Sequence, residues 1–322
     1  MTVKIFNINE IKKALENVDS IAAIEKGFVA YSRGNVVVPP VGELLFSEPP
    51  GEIHIKYGYI NDGTFSVIKI ASGFYENVKF DLPTGDGLML LFSQKTGQLK
   101  GILLDEGYLT NVRTAAAGAV AAKYLAPDVI RRIGILGAGV QGRMQLMYLK
   151  TIISCREVLV WGTNQEELDL YKQDMEKEGF NLQTTRDAQE VAANCNLIVT
   201  ATPSKSPLLH ASQIRQGTHI TAMGSDTPEK NELEPGILEK ADIVVADSLS
   251  QCQSRGEIFQ AFKSGRLGQD KVLELGNVIQ QPELCRQSGS QISVADLTGV
   301  AVQDIQISVA VFELLTKTIH QG

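Results

Sequence analysis

The chain is poor in the residues that staple small folds or gather metal ions. Its four cysteines, Cys155, Cys195, Cys252 and Cys285, stand far apart with no Cys-x-x-Cys pair. That excludes a disulfide framework or a thiolate zinc centre and leaves ordinary reduced thiols. The four histidines, His54, His210, His219 and His320, show no HExxH or other close ligand spacing, so no metal is expected. No basic run could neutralise a row of phosphates, and 30 basic against 37 acidic residues give a net charge of −7; no nucleic-acid partner is expected. No apolar run reaches the ~18–20 residues of a membrane span. The opening MTVKIFNINE has neither the apolar core of a secretion signal nor an Arg-rich transit pattern. The expected address is the cytoplasm, with no membrane partner.

What is present is a 322-residue chain, 43% hydrophobic, enough for about two domains of ~150 residues. Glycine and proline punctuation divides it rather than a low-complexity linker, and the best cut lies near Pro127. Before it, Ile53 to Tyr59 and Thr64 to Ile70 are rich in β-branched and aromatic residues and flank Asn61-Asp62-Gly63, a hairpin signal. Gly87 to Ser93 and Gln98 to Leu104, around Lys95-Thr96-Gly97, extend a meander, so this region reads as α+β. The alanine-rich LTNVRTAAAGAVAAKYLA predicts a helix capped by Thr110 and stopped by Pro127. Beyond it, apolar strands at Arg132 to Leu136, Glu157 to Trp161, Leu197 to Ala201, His219 to Ala222 and Ile243 to Ala246 alternate with helical segments. That is the pattern of an α/β, doubly wound parallel sheet. Val294 to Gly299 and a terminal apolar helix follow, and such a helix needs a partner surface in the first domain. The expected division is 1–126 with about 300–322, against 127–299.

Gly137-Ala138-Gly139-Val140-Gln141-Gly142 matches GxGxxG directly after a predicted strand and at the start of a helix, the context that a dinucleotide turn requires. The first glycine permits the tight turn, the second the approach of the pyrophosphate, and the third close helix packing; the helix N–H groups receive the anion. Cofactor choice depends on the end of the next strand, where NAD sites place a carboxylate. Here Trp161 is followed by Gly162, Thr163 and Asn164, which do not repel a 2′-phosphate, and Arg143 is a further candidate contact. The expected cofactor is NAD(P), leaning to NADP. Thr163 and Asn164 equally suit the start of the next helix or turn.

Lys56 in IHIKYGYI and Lys69 in FSVIKIASGF lie in otherwise apolar strand patterns, a costly placement unless the charge is used or reaches solvent by snorkelling. Arg113 falls near the start of the alanine-rich helix, where anions rather than cations are favoured, and its fork suits a carboxylate. It can equally pair with Asp86, Asp105 or Glu106. Asp226, in MGSDTPEK after a strand, is a candidate acid or base, or a turn cap.

Together, VIKIASGFYEN, DEGYLTNVRTAAAGAVAAKYLA, GILGAGVQGRMQL, GSDTPEKNEL and SVADLTGVAVQD, in this order over nearly the whole chain, resemble the ornithine cyclodeaminase/μ-crystallin family. The alanine-rich stretch is most similar to its ectoine-utilisation and imine-reductase branch. The resemblance implies a homodimer with a substrate-binding and dimerisation domain and a Rossmann domain. It implies Lys69 as the active-site lysine, Arg113 as the substrate-carboxylate arginine and Asp226 as the catalytic aspartate. It also implies that the glycine turn, the residues after Trp161, and Thr202 and Pro203 line the cofactor cleft. Ornithine-specific members are expected to carry another early arginine; VVVPPVGELLF offers none, and Lys56 stands in HIKYG instead. Lys56 then either binds the carboxylate or marks a different substrate, such as a dicarboxylic imino acid.

The expected activity is nicotinamide-dependent hydride transfer at the Cα–N bond of a small amino or imino acid. The alternatives are a redox-neutral cyclodeaminase acting on ornithine or diaminobutyrate, and a dinucleotide-binding protein without turnover.

Overall fold

The structure, a computed structural model, describes residues 3–319; His320 lies outside the described residues. By its contacts the chain divides into Met1–Arg113 with Val300–Gly322, and Thr114–Gly299.

The first unit is built on one sheet. Its strands are β1 (Lys4–Phe6), β2 (Val36–Val37), β3 (Gly42–Ser47), β4 (Pro50–Ile60), β5 (Phe65–Gly73), β6 (Gly85–Ser93) and β7 (Leu99–Leu103). They run in the order β1-β7-β6-β5-β4-β2, with β3 also on β4. Only β1 and β7 pair in parallel; the remainder is antiparallel, as the predicted meander requires. The β4–β5 turn closes with Asp62 at φ 61°, a left-handed conformation that Asp tolerates. Helices α1 (Ile8–Leu15) and α2 (Ser20–Ser32) are capped by Asn7 and Asp19. The C-terminal helix, Ala301–Ile319, packs on both and on the sheet. Its Phe312 meets Phe6 and Phe65 edge-on, with ring centroids 6.0 and 5.3 Å away.

The helix α3 (Tyr108–Leu125) crosses the unit boundary, so the division falls between Arg113 and Thr114 and not at Pro127. The reason is packing: Arg113 pairs with the C-terminal helix, whereas from Thr114 onward α3 buries small side chains and Thr114 accepts a hydrogen bond from Gln145 Nε2 at 3.2 Å. Thr110 lies inside the first turn rather than before it, and the Asp105 carboxylate caps instead, accepting the Leu109 N–H at 2.8 Å.

The second unit holds β8 (Ile133–Leu136), α4 (Val140–Ile152), β9 (Glu157–Trp161), α5 (Gln165–Lys177), β10 (Asn181–Thr185), α6 (Ala188–Asn194), β11 (Leu197–Thr200) and β12 (His219–Ala222). It continues with α7 (Pro235–Lys240), β13 (Ile243–Ala246), α8 (Glu257–Lys263), β14 (Val272–Glu274), α9 (Leu275–Gln280) and β15 (Ser293–Asp296). All eight strands are parallel, in the order β10-β9-β8-β11-β12-β15-β13-β14. Because β8, β11, β12, β13 and β15 are buried along their whole length, they read as continuous apolar runs and not as alternation. His219 is accommodated there between the hydroxyls of Ser293 and Thr221, both at 2.9 Å; burial lowers its pKa to about 3 and keeps it neutral. From β8 the order runs to β9 and β10 on one side and to β11 and β12 on the other, with β15 inserted before β13 and β14; this is the Rossmann arrangement, so the β8–β11 junction is the switch point where such sheets bind ligands. Among the described residues no helix is long and apolar enough to cross a membrane, and the four cysteines are free.

Candidate functional site

In the first unit the antiparallel register sets Lys56 of β4 directly opposite Lys69 of β5. Both are buried, so two ammonium groups share one face of the sheet, an arrangement that is destabilising without anions. Arg113 reaches the same cluster from α3. Its Nε lies 3.0 Å from Asp304 Oδ1, and its Nη1 donates to Gln303 Oε1 at 3.1 Å. Asp304, at the start of the C-terminal helix, also stands 4.0 Å from Lys69 Nζ. Of the acids weighed for Arg113, none is its partner: Asp105 caps α3, and Glu106 is exposed at φ 53°. Burial raises the Asp105 carboxyl to about 6, against the lowering effect of its Leu109 hydrogen bond. The buried charges of this unit are therefore three cations against two carboxylates. Asp304 Oδ2 and Asp105 Oδ1 have no hydrogen-bond partner among the described residues.

In the second unit the turn after β8 has the geometry that its glycines require. Gly137 adopts φ 116° and a Cβ there would lie 2.6 Å from the Ala201 carbonyl. At Gly142 a Cβ would lie 2.1 Å from the Gly137 carbonyl. Gly139, in contrast, faces open space and precedes α4 without a side-chain cap, leaving Ala138, Val140 and Gln141 around exposed helix N–H groups. This cradle fits a pyrophosphate. Tyr171 of α5 fixes the turn from behind, donating to the Gly142 carbonyl at 2.8 Å. Arg143 does the same: it donates to the carbonyls of Ala138 and Gly139, pairs with Asp174 at 3.1 Å and stacks on Tyr171. Its guanidinium thus shapes the turn. Asn164 caps α5, accepting from the Glu166 and Glu167 N–H groups; Gly162 is buried and Thr163 exposed beside it.

Asp226 sits in the loop after β12, half-exposed, with Lys230 Nζ at 2.6 Å. Two buried carboxylates hold this loop. Glu232 accepts from Thr200 Oγ1 and from both the N–H and hydroxyl of Thr202, each at 2.7 Å, and from Gly224 N–H at 2.9 Å. Glu257 accepts from the Ser225 hydroxyl and from the N–H groups of Glu232 and Leu233. Burial raises Glu232 to about 7 and Glu257 to about 8, the latter with help from the charge of Glu232. Thr202 is thereby fixed at the end of β11, while Pro203 is exposed. Asp304, Glu232 and Glu257 were not singled out in the sequence. Their available signal was an acid inside an otherwise apolar segment, as in GVAVQD and GEIF.

The arrangement therefore comprises Lys56, Lys69, Arg113 and Asp304 in one unit, and the glycine turn, the Thr202 segment and Asp226 in the other. The sequence profile described as the ornithine cyclodeaminase/mu-crystallin family matches residues 2–318. An uncharacterized cyclodeaminase of Sinorhizobium fredii is 38% identical over 316 residues, spanning 97% of this chain and 96% of its own. Among solved structures, an archaeal alanine dehydrogenase dimer with bound NAD superposes with a TM-score of 0.90 at 31% identity, covering 99% of this chain and 97% of its own. The Δ1-pyrroline-2-carboxylate reductase of Thermococcus litoralis, in complex with NADH and L-proline, gives a TM-score of 0.92 at 26% identity over 98% of both chains. The chain belongs to the ornithine cyclodeaminase/mu-crystallin family.

Proposed function

We propose that the protein is an NAD(P)-dependent enzyme that reduces a small α-imino acid, open or cyclic, to the amino acid. The observation that carries this reading is the gathering of three buried cations, Lys56, Lys69 and Arg113, on one sheet and helix, with Asp304 beside Lys69 and Arg113. Arg113 receives the α-carboxylate in its fork, held in register by Asp304 and Gln303. Lys56 adds a second charge to the same anion or takes a further carboxylate of a dicarboxylic substrate. Positioning of this kind supplies much of a barrier reduction. Lys69 Nζ donates the proton that the substrate nitrogen needs, and Asp304, 4.0 Å away, balances its charge. Asp226, fixed by its loop, is the second candidate for that proton. The dinucleotide, when bound on the glycine turn, supplies hydride to Cα. The similarity to a reductase in complex with NADH and L-proline supports the substrate class.

A homodimer goes with this reading. Leu44, Leu45 and Phe46 of β3, with Val78, Phe80 and Leu82, expose a large apolar area of the first unit, suited to a second copy, and the similar archaeal enzyme is a dimer.

The test follows NADPH and NADH absorbance with pyruvate, oxaloacetate or glyoxylate plus ammonia, and with Δ1-pyrroline-2-carboxylate. Oxidation that requires both the 2-oxo acid and ammonia, or the cyclic imine, is expected. Silence with every acid, together with ammonia release from ornithine or diaminobutyrate at catalytic cofactor, would replace this reading with cyclodeamination, which the Sinorhizobium relative favours.

A further inference from the structure

The glycine turn after β8 directs the adenosine ribose to the carboxyl end of β9. No carboxylate waits there: Trp161 is followed by Gly162, Thr163 and Asn164, and the Asn164 oxygen is committed to capping α5. The neighbouring strand β10 ends at the same level, because Thr185 is the register partner of Trp161. The next residue is Arg186. It is exposed, and its Nη2 donates to the Thr163 carbonyl at 2.9 Å, which pins the guanidinium to the ribose-side loop. Asp187, the adjacent acid, is turned to its own helix: it accepts the Gln189 N–H at 2.9 Å, and its own N–H donates to Thr185 Oγ1 at 3.0 Å. Glu166 and Glu167, in the first turn of α5, are exposed. Among the described residues no carboxylate lies within ion-pair distance of Arg186, in contrast to Arg143, whose guanidinium is held by Asp174.

We infer that Arg186 is the residue that recognises a 2′-phosphate on the adenosine ribose and sets a preference for NADP(H) over NAD(H). An arginine supplies five donors in a planar fork that matches phosphate oxygens. One donor is already used to orient the group on Thr163, so little ordering remains to be done on binding. The inference rests on the proposal that the glycine turn holds a dinucleotide, and it adds what distinguishes the two cofactors.

The test measures dissociation constants of NADPH and NADH by nicotinamide fluorescence, and of 2′,5′-ADP against 5′-AMP by calorimetry, on the full chain. The wild type is expected to bind NADPH at least about 10-fold tighter than NADH, a charge-assisted contact of ordinary strength. Arg186→Ala is expected to remove that difference by weakening NADPH while NADH changes less than about twofold, and Arg186→Lys to restore part of it. The 2′,5′-ADP affinity is expected to fall with rising salt more steeply than that of 5′-AMP, and Arg186→Ala to abolish the excess. Tighter NADH than NADPH binding in the wild type, or equal weakening of both by Arg186→Ala, overturns the role of Arg186 while leaving the dinucleotide site intact. Binding of neither dinucleotide to folded wild type overturns that site and Arg186 together.

Discussion

Among the described residues the buried acidic and basic side chains of the first unit are Lys56, Lys69, Arg113, Asp105 and Asp304; in the second they are Glu232, Asp247, Glu257, Asp296, Arg255 and His219. One interior is biased to positive charge, the other to negative. Their satisfaction differs as well. Glu232 and Glu257 are surrounded by seven donors from the chain itself, most of them backbone N–H or hydroxyl groups. Asp296 receives the Ile258 N–H, and Asp247 receives the Thr298 hydroxyl and the Gly299 N–H. Such carboxylates complete a scaffold, because every lone pair that matters is met without a ligand. The cations of the first unit include two lysines in direct cross-strand register and an acid that leaves one oxygen without a hydrogen bond among the described residues. Buried charge built this way suits the proposed binding and orientation of an anion.

The contrast is sharpest at Arg113. Arg113→Met is expected to reduce turnover about 100-fold or more. It also strips Asp304 of its partner, at a stability cost of about 3–5 kcal/mol. Arg113→Met with Asp304→Leu is expected to recover the melting temperature but not the activity, measured by thermal unfolding beside the reductase assay. Recovery of both would erase the distinction between a binding cation and a structural one. Lys69→Ala is expected to lower turnover by a similar factor with folding intact, read from kcat in the same assay.

Next in size, Gly142→Ala drives a Cβ against the Gly137 carbonyl. The expected result is about 1–3 kcal/mol of destabilisation and loss of dinucleotide binding, read by thermal unfolding and nicotinamide fluorescence.

The carboxylate scaffold predicts a pH dependence of stability. Burial raises Glu232 and Asp296 to about 7 and Glu257 to about 8, from ordinary values of 4.5, 3.8 and 4.5. Across that interval the folded protein holds more protons than the unfolded chain, so these groups lose stability as pH rises. His219 acts oppositely: lowered to about 3 from 6.5, it adds stability as pH rises through that range and nothing further above it. Between pH 6.5 and 8 only the carboxylate effect remains, and the melting temperature is expected to fall. Glu257→Gln, which copies the protonated form, is expected to flatten that slope; an unchanged slope would remove Glu257 from the scaffold.

Arg143→Ala is expected to have the smallest effect. Its pair with half-exposed Asp174 contributes under about 1 kcal/mol, and NADPH and NADH affinities are expected to shift by the same small factor, read by fluorescence.

Much of this was legible in the sequence because it depends on local rules. The hairpin at Asn61-Asp62-Gly63, the βαβ start at Gly137 and the buried strands β8, β11, β12 and β13 each follow from a short run of residues. Lys56, Lys69 and Arg113 stood out because a charge in an apolar pattern is expensive. The strand β3 was not legible, since its exposed Leu44, Leu45 and Phe46 break the alternation that marks a half-buried strand. Nor was the short edge strand β10, whose NLQTT shows no marked apolar period. Asp105 was weighed as a partner of Arg113 by sequence neighbourhood, and the first turn of α3 claimed it instead, while the partners of Arg143 come from α5.

By itself the sequence determined the two architectures, the glycine turn after β8 and the identity of the buried cations, because backbone propensity, glycine stereochemistry and the cost of burying charge are properties of short segments. The tertiary structure alone decided which charges meet. Asp304 reaches Arg113 across 191 residues of chain, Glu232 reaches Thr200 across 32, and Arg186 reaches the Thr163 carbonyl across 23. Pairing at such separations is fixed by strand register and helix packing, which no local pattern encodes.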